Sequence, residues 1–262
     1  MISIEGVSKT YPGGTQALAP TTLHIPSGQF VCLLGPSGCG KTTLLNVLAG
    51  LESPTGGSVR HLGKVGVVFQ EAALFPWRTV RENVAFGLQM QGMPRRERLE
   101  RADAMLDLVH LGKFPDAYPH ELSGGMRQRV AIARALVLEP NLLLMDEPFG
   151  ALDAQTRSLL QGELATLWMR TRCTVVFVTH SLNEALVLAD RILLFSTSPG
   201  RVIGDYHLDA PRPRDPVGHP VLARVHRELR ERLGRIVQRA AAGANTDDSD
   251  HELDETLLGI DI

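Results

Sequence analysis

Five apolar residues, Phe30-Val31-Cys32-Leu33-Leu34, run straight into Gly35-Pro36-Ser37-Gly38-Cys39-Gly40-Lys41-Thr42, and a helical pattern from Thr42 to Ala49 follows. The apolar run predicts a strand buried on both faces. The glycine-rich segment fits G-x-x-x-x-G-K-[ST] in the strand-to-helix setting that gives this pattern its meaning. Glycines let backbone N–H groups curl round a polyphosphate without interference from Cβ atoms. The helix start adds its positive dipole end. Lys41 would reach the β- and γ-phosphates of a nucleotide, and Thr42 would offer an oxygen to Mg²⁺. The competing reading is a glycine-rich turn that holds no ligand.

Three further runs behave like the first. Val65-Gly66-Val67-Val68-Phe69 stops at Gln70, Leu142-Leu143-Leu144-Met145 stops at Asp146, and Thr174-Val175-Val176-Phe177-Val178 stops at Thr179-His180. Helical patterns run from Arg95 to Val109, Met126 to Leu138 and Ala154 to Met169. Strands alternating with helices predict an α/β fold with a parallel sheet. Ligands of such folds lie at the carboxyl ends of the strands. All four strand ends carry polar residues suited to a nucleotide.

Composition excludes several classes. Hydrophobic residues make up 44% of the 262 residues and charged residues 21%, enough apolar surface to build a core. No stretch approaches the roughly 18 uninterrupted apolar residues of a membrane-spanning helix. Met1-Ile2-Ser3-Ile4-Glu5 lacks the basic region and apolar run of a secretory signal, so the chain reads as cytosolic. Three cysteines, Cys32, Cys39 and Cys173, are too few and too scattered for a disulfide framework or a zinc site. The net charge is -2, yet all seven acidic residues from Ala240 onward stand without any Lys or Arg. The preceding residues carry 27 basic against 22 acidic, net +5, which suits an anionic nucleotide or a membrane-surface neighbour but not nucleic acid. An ordinary mixed surface with a solvated acidic tail accounts for the charge more simply.

The run Leu143-Leu144-Met145-Asp146-Glu147 ends a buried strand on two carboxylates. Asp146 suits the Mg²⁺ shell and Glu147 suits a base that orients the attacking water. Both could instead cap the next helix. Leu122-Ser123-Gly124-Gly125-Met126-Arg127-Gln128-Arg129 then opens a helix with a second glycine-rich turn. One ATP does not need two cradles, so the second is expected to serve another nucleotide across a dimer interface.

These residues resemble the ATP-binding cassette (ABC) family, in which Leu-Ser-Gly-Gly-x is diagnostic. The resemblance covers about Met1 to Leu208. It implies an ATP-hydrolysing enzyme with a P-loop NTPase core, an antiparallel β edge from Ile2 to Ile25, a helical subdomain and a short C-terminal helical extension. It also implies ATP and Mg²⁺ as cofactors. ATP would lie on Gly35, Pro36, Ser37, Gly38, Cys39, Gly40, Lys41, Thr42 and Thr43, with Tyr11 stacked on adenine. Ser123, Gly124, Gly125 and Asp153 would complete the site, and Thr42, Gln70 and Asp146 would hold Mg²⁺. Glu147, His180 and Lys41 would be the catalytic set, with His180 on the γ-phosphate. Each weaker mark keeps an ordinary alternative. Tyr11 could be an edge aromatic, Gln70 and His180 polar strand ends, and Asp153 a cap for the helix starting at Ala154. Cys39 reads either as a thiol activated by the helix start or as an inert filler.

By the same resemblance two copies pack head to tail, and the membrane pore comes from separate permease subunits. The chain would then be peripheral, on the cytoplasmic face of the cell (inner) membrane. The permease contact is expected near Phe75 to Val84, where Trp77 and Arg78 suit an interface. Phe75 and Trp77 could equally pack beneath the helical subdomain. This run, with Glu147 to Ala154 and Ser198-Pro199-Gly200-Arg201-Val202, resembles the ATPase subunits of nitrate, sulfonate and taurine importers, which a solute-binding protein feeds. The rivals are cassettes for lipid or lipoprotein extraction, soluble non-transport cassettes, and a small-molecule kinase, which the second glycine turn opposes.

The expected organisation is a cassette over 1–208 with a helical subdomain inserted at about 76–138, then a Pro/Arg connector and helix over 209–242. In that helix Val221, Leu222, Val225, Leu229, Leu233 and Val237 form an apolar stripe. The acidic tail, 243–262, reads either as solvated chain or as a segment that docks on a basic surface.

Overall fold

A computed structural model describes residues 1–61, 63–150, 152–216 and 218–241. The expectation for the tail at 243–262 lies outside these residues. In chain order the elements are β1 (Ile2–Thr10), β2 (Gln16–Ile25), β3 (Phe30–Leu34), α1 (Lys41–Leu48), β4 (Gly56–His61), β5 (Val65–Val68), α2 (Val80–Met90) and α3 (Arg95–Leu108). There follow α4 (Gly124–Leu136), β6 (Leu142–Asp146), α5 (Ala154–Thr171), β7 (Thr174–Thr179), α6 (Leu182–Leu188), β8 (Arg191–Phe195), β9 (Val202–His207) and α7 (Pro220–Ala241). The chain divides into two compact units, one of Met1–His61 with Val178–Ile262 and one of Leu62–Phe177.

In the first unit β2, β1 and β4 form an antiparallel sheet. Ile2, Ile4 and Val7 are buried while Ser3 and Glu5 face outward, the alternation of a strand with one wet face. Register places Ile2 opposite Ile25 and Ile4 opposite Leu23, so apolar side chains meet across the pair. All five residues of β3 are buried, and β3 runs parallel to β8 with Val31 opposite Arg191. β9 is antiparallel to β8.

The connector is tied down by arginines. Arg212 pairs with Asp190 at 2.7 Å, and the other Asp190 oxygen accepts from the Phe30 N–H at 3.0 Å, at the start of β3. Arg214 donates to the carbonyls of Ala189, Leu208 and Ala210, and burial pushes its guanidinium down to about 10. In α7 the buried residues are Leu222, Leu229 and Ile236, a seven-residue repeat. The predicted stripe is corrected at its end: Val237 is 53% exposed, because that repeat brings Ile236 inward instead.

In the second unit β5 runs parallel to β6, Val65 opposite Leu142 and Val68 opposite Met145. Val84 and Leu88 of α2, Ala102 and Leu106 of α3, and Val130 of α4 supply buried apolar faces. The α5 stripe is Leu160, Leu164, Leu167 and Trp168, one face of a helix. Every residue of β7 is buried.

Candidate functional site

The glycine-rich loop lies between β3 and α1, where its strand-to-helix sequence places it. Gly40 closes the loop at φ 94 as the residue before α1 and, being glycine, contributes no side-chain cap. Gly38 has φ +77, and a Cβ built there would meet nothing within 4 Å. Gly38 is therefore a glycine for its backbone angle, with open space beside it. Lys41 is only 4% exposed, and its ammonium donates to the carbonyls of Gly35 at 2.9 Å and Pro36 at 2.7 Å. A buried ammonium needs such acceptors, and here the loop itself supplies them. Thr42 is exposed, whereas Thr43 is buried.

Cys39 is 1% exposed, with its Sγ 3.5 Å from the Lys41 ammonium. Burial pushes its thiol up and outweighs the Lys41 charge, which pulls the other way. The activated-thiol reading is thereby corrected, since burial costs the thiolate more than its positive neighbours return.

Tyr11 reaches the helix that follows the loop. Its hydroxyl donates to Glu52 at 2.9 Å and lies 3.4 Å from the Thr43 hydroxyl. The Lys9 ammonium stands 5.2 Å from the ring centroid. His180 is exposed, directly after β7. Its turn is closed by Ser181, whose N–H donates to Thr179 Oγ1 at 2.9 Å and whose hydroxyl caps α6 by accepting from the Glu184 N–H at 3.4 Å. All these residues belong to the first unit.

The second unit carries the other expected residues. Ser123 is the cap of α4 and accepts from the Met126 N–H at 3.3 Å, a role worth about 1 kcal/mol. The two glycines after it differ. A Cβ on Gly124 would meet nothing closer than 3.9 Å, whereas one on Gly125 would lie 2.6 Å from Thr156 Cγ2 at the start of α5. Gly124 is exposed, and Gly125 is the glycine that lets α4 approach α5. Asp153 caps α5 by accepting from the Thr156 N–H at 2.9 Å, and that bond holds its carboxyl below the usual range.

At the end of β6, Glu147 has φ 40, a left-handed conformation that costs an ordinary side chain of order 1 kcal/mol. A Cβ on Gly150 would lie 3.4 Å from the Gln70 amide nitrogen and 3.8 Å from Glu147 Oε2. The bare face of Gly150 thus has the Gln70 amide and the Glu147 carboxylate as neighbours. No composition or period signals this grouping, because it depends on where two loops meet.

The residues on either side of Gln70 are held from α4. Gln128 donates to the Phe69 carbonyl at 3.3 Å, and Arg134 donates to the carbonyls of Ala72 and Ala73 at 2.9 and 2.8 Å. Asn83, wholly buried, accepts from the Phe75 N–H at 2.8 Å and donates to the carbonyls of Phe75, Arg78 and Thr79. Burial separates the two aromatics, whose ring centroids stand 5.7 Å apart. Phe75 packs on Phe86 with ring centroids 4.6 Å apart, while Trp77 is 72% exposed. The packed alternative holds for Phe75, and the surface reading holds for Trp77.

Three residues with a part in this geometry escape a reading of the sequence: Gly150, Glu184 and Arg134. Among the described residues no cluster of three or more His, Cys, Asp or Glu is placed to hold a metal ion. No described helix is long and apolar enough to cross a membrane.

The family model described as ABC transporter matches residues 18–150. A nitrate import ATP-binding protein of Synechocystis sp. is 46% identical over 207 residues, 76% of this chain and 78% of that protein. A taurine import ATP-binding protein of Ruegeria pomeroyi is 47% identical over 219 residues, 79% of this chain and 82% of that protein. Among solved structures, a dimeric post-hydrolysis state of an ATP-binding cassette bound to ADP and Pi is 36% identical with a TM-score of 0.72, covering 80% of this chain and all of that one.

Proposed function

The chain belongs to the ABC transporter family and is an ATP-hydrolysing subunit of it, and on that premise we propose how its residues divide the work. The loop from Gly35 to Thr43 holds the ATP phosphates, with Lys41 as the cation that offsets their charge. Tyr11 lies against adenine. Glu147 orients the attacking water, and His180 contacts the γ-phosphate. Ser123, Gly124, Gly125 and Asp153 serve the nucleotide of a second copy, where the start of α4 directs amides and dipole at phosphate.

The donors fit Mg²⁺. Thr42, an exposed residue, carries a hydroxyl, Asp146 a carboxylate and Gln70 an amide oxygen, all hard oxygen ligands. When bound, Mg²⁺ would neutralise charge on the β- and γ-phosphates.

The observation that carries the reading is the buried Lys41 ammonium held on the carbonyls of Gly35 and Pro36, beside a glycine open to approach. The nitrate and taurine import relatives support a small oxyanion-type solute of the nitrate, sulfonate or taurine class. It would pass through separate permease subunits, and the exposed Trp77 supports their contact near Phe75–Val84. The subunit would then be a homodimer, peripheral to the cytoplasmic face of the inner membrane and supplied by a solute-binding protein.

The test is Glu147→Gln. This variant is expected to bind ATP as the parent does, lose turnover, and accumulate as a dimer with ATP trapped. Hydrolysis at the parental rate would remove Glu147 from its assigned role.

A further inference from the structure

We propose that Gly200, in the turn between β8 and β9, is a positioning residue for the phosphate loop: it is a glycine so that the Cys39–Gly40 peptide can seat against it. The inference rests on the reading of Gly35–Thr43 as the ATP phosphate site.

The turn is a made structure. Ser196, 3% exposed, donates its backbone N–H to the Arg201 carbonyl at 2.9 Å. Its hydroxyl oxygen accepts from the Arg201 N–H at 3.0 Å and lies within 3.3 Å of the Pro199 carbonyl. Gly200 then clamps strand β2. Its N–H donates to the Ala17 carbonyl at 3.0 Å, and its carbonyl accepts from the Ala19 N–H at 3.0 Å.

The same atoms reach the loop. A Cβ on Gly200 would sit 2.0 Å from the Cys39 carbonyl oxygen and 3.4 Å from that of Ala17. A Cβ on Gly40 would sit 2.3 Å from the Ala17 oxygen and 3.8 Å from the Gly200 Cα. Three backbones therefore meet with no side chain between them. At the other end of the loop, a Cβ on Gly35 would lie 3.0 Å from the Cβ and 3.1 Å from the carbonyl oxygen of Phe195, the last residue of β8. Both ends of the loop thus abut the end of β8 and the turn it feeds.

Gly200 does not have the left-handed backbone angle of Gly38 or Gly40, so space alone excludes a side chain. Cβ atoms essentially never approach another heavy atom within 3.0 Å, so a methyl group here must displace the Cys39–Gly40 peptide by about 1 Å. That peptide precedes the amide of Lys41, and amides preset in direction hold charge without being reordered on binding. A displacement of about 1 Å in such a positioned group can cost on the order of 100-fold. Gly200 touches no ligand itself and acts through Cys39 and Gly40.

The experiment uses the full chain and two readouts, melting temperature without nucleotide and affinity for a fluorescent ATP analogue. Gly200→Ala is expected to weaken ATP binding by at least about tenfold and to shrink the melting-temperature rise that ATP produces. Gly162→Ala, at an open exposed position of α5, is the control and should change neither the ATP affinity nor the size of that rise. A merely structural Gly200 would lower the nucleotide-free melting temperature and leave ATP affinity parental, and that result overturns the proposal. Should Gly200→Ala fail to fold, Ser196→Ala decides, because it loosens the turn without adding atoms. Weaker ATP binding in Ser196→Ala supports the brace, and parental affinity overturns it. Lys41→Ala separates the two readings. If it keeps ATP affinity, the phosphate site itself is misassigned. If it loses affinity while Gly200→Ala keeps it, only the brace falls.

Discussion

Thr179 donates its hydroxyl hydrogen to the buried carboxylate of Glu184 across 2.6 Å, and this bond spans the turn that presents His180. The Thr179 oxygen also accepts from the Ser181 N–H, so the residues on both sides of His180 are held by one hydroxyl. Glu184→Ala would leave that hydroxyl without its acceptor, at a cost of about 1–3 kcal/mol, and let the turn move. The expected result is a kcat about tenfold lower with little change in the KM for ATP, since the loss falls on positioning rather than on uniform binding. Glu184→Gln keeps an acceptor oxygen and should recover most of the rate. A Glu184→Ala enzyme with parental kcat would show that the turn holds without it.

What could be read in the sequence was what depends on neighbours along the chain. The run Phe30–Leu34 and the strand ends at Asp146 and Thr179 follow from local apolar runs and the polar residues that stop them. Ser123 and Asp153 fall where short polar residues cap helices, and both do so. The parts not legible depend on distant backbones meeting. β9, with Gly204 and Asp205 in its middle, has no apolar run to announce it. Gly200 against Cys39, and Gly150 beside Gln70 and Glu147, are facts of approach distance, which no period encodes. Glu184 reads as one more charge on an amphipathic helix until its burial is known.

Gly125 and Gly124 should respond differently to the same substitution. In Gly125→Ala the new methyl would lie 2.6 Å from Thr156 Cγ2, and relieving that overlap costs about 1–3 kcal/mol. Thr156→Ser removes the Cγ2 atom, so the pair Gly125→Ala with Thr156→Ser should melt close to the parent. Gly124→Ala meets no close neighbour within the chain and should not lower the melting temperature. Its effect should appear in ATP hydrolysis if a second copy approaches that face as proposed. Parental ATPase activity in Gly124→Ala would argue against such an approach.

Arg134 and Trp77 divide a structural role from a surface role. Arg134 is half-buried, which lowers its guanidinium from the ordinary range, and it supports the carbonyls of Ala72 and Ala73. Arg134→Ala removes both bonds and should destabilise the isolated subunit by about 1 kcal/mol. Trp77→Ala removes an exposed ring and should leave stability within about 0.5 kcal/mol of the parent. Co-purification with permease subunits separates them further, because the Trp77 variant is expected to lose the complex while still hydrolysing ATP. Full recovery of the complex with Trp77→Ala would move the permease contact elsewhere.

The cysteines give a pH prediction of definite sign. Cys32, Cys39 and Cys173 are all buried, and burial pushes each thiol above its ordinary value. For Cys39 the Lys41 ammonium lowers the value but does not overcome burial. A folded-state value raised above the unfolded one means the folded protein holds these protons more tightly. That contribution to stability is complete below about pH 9 and is lost as pH rises through the folded-state values. Iodoacetamide, which attacks thiolate, should therefore leave the native chain unlabelled at pH 7 and pH 8 and label all three cysteines in urea. Mass spectrometry of the labelled peptides reads the outcome. Fast labelling of Cys39 at pH 7 in the native chain, blocked by ATP, would instead mean that the helix start and Lys41 prevail over burial.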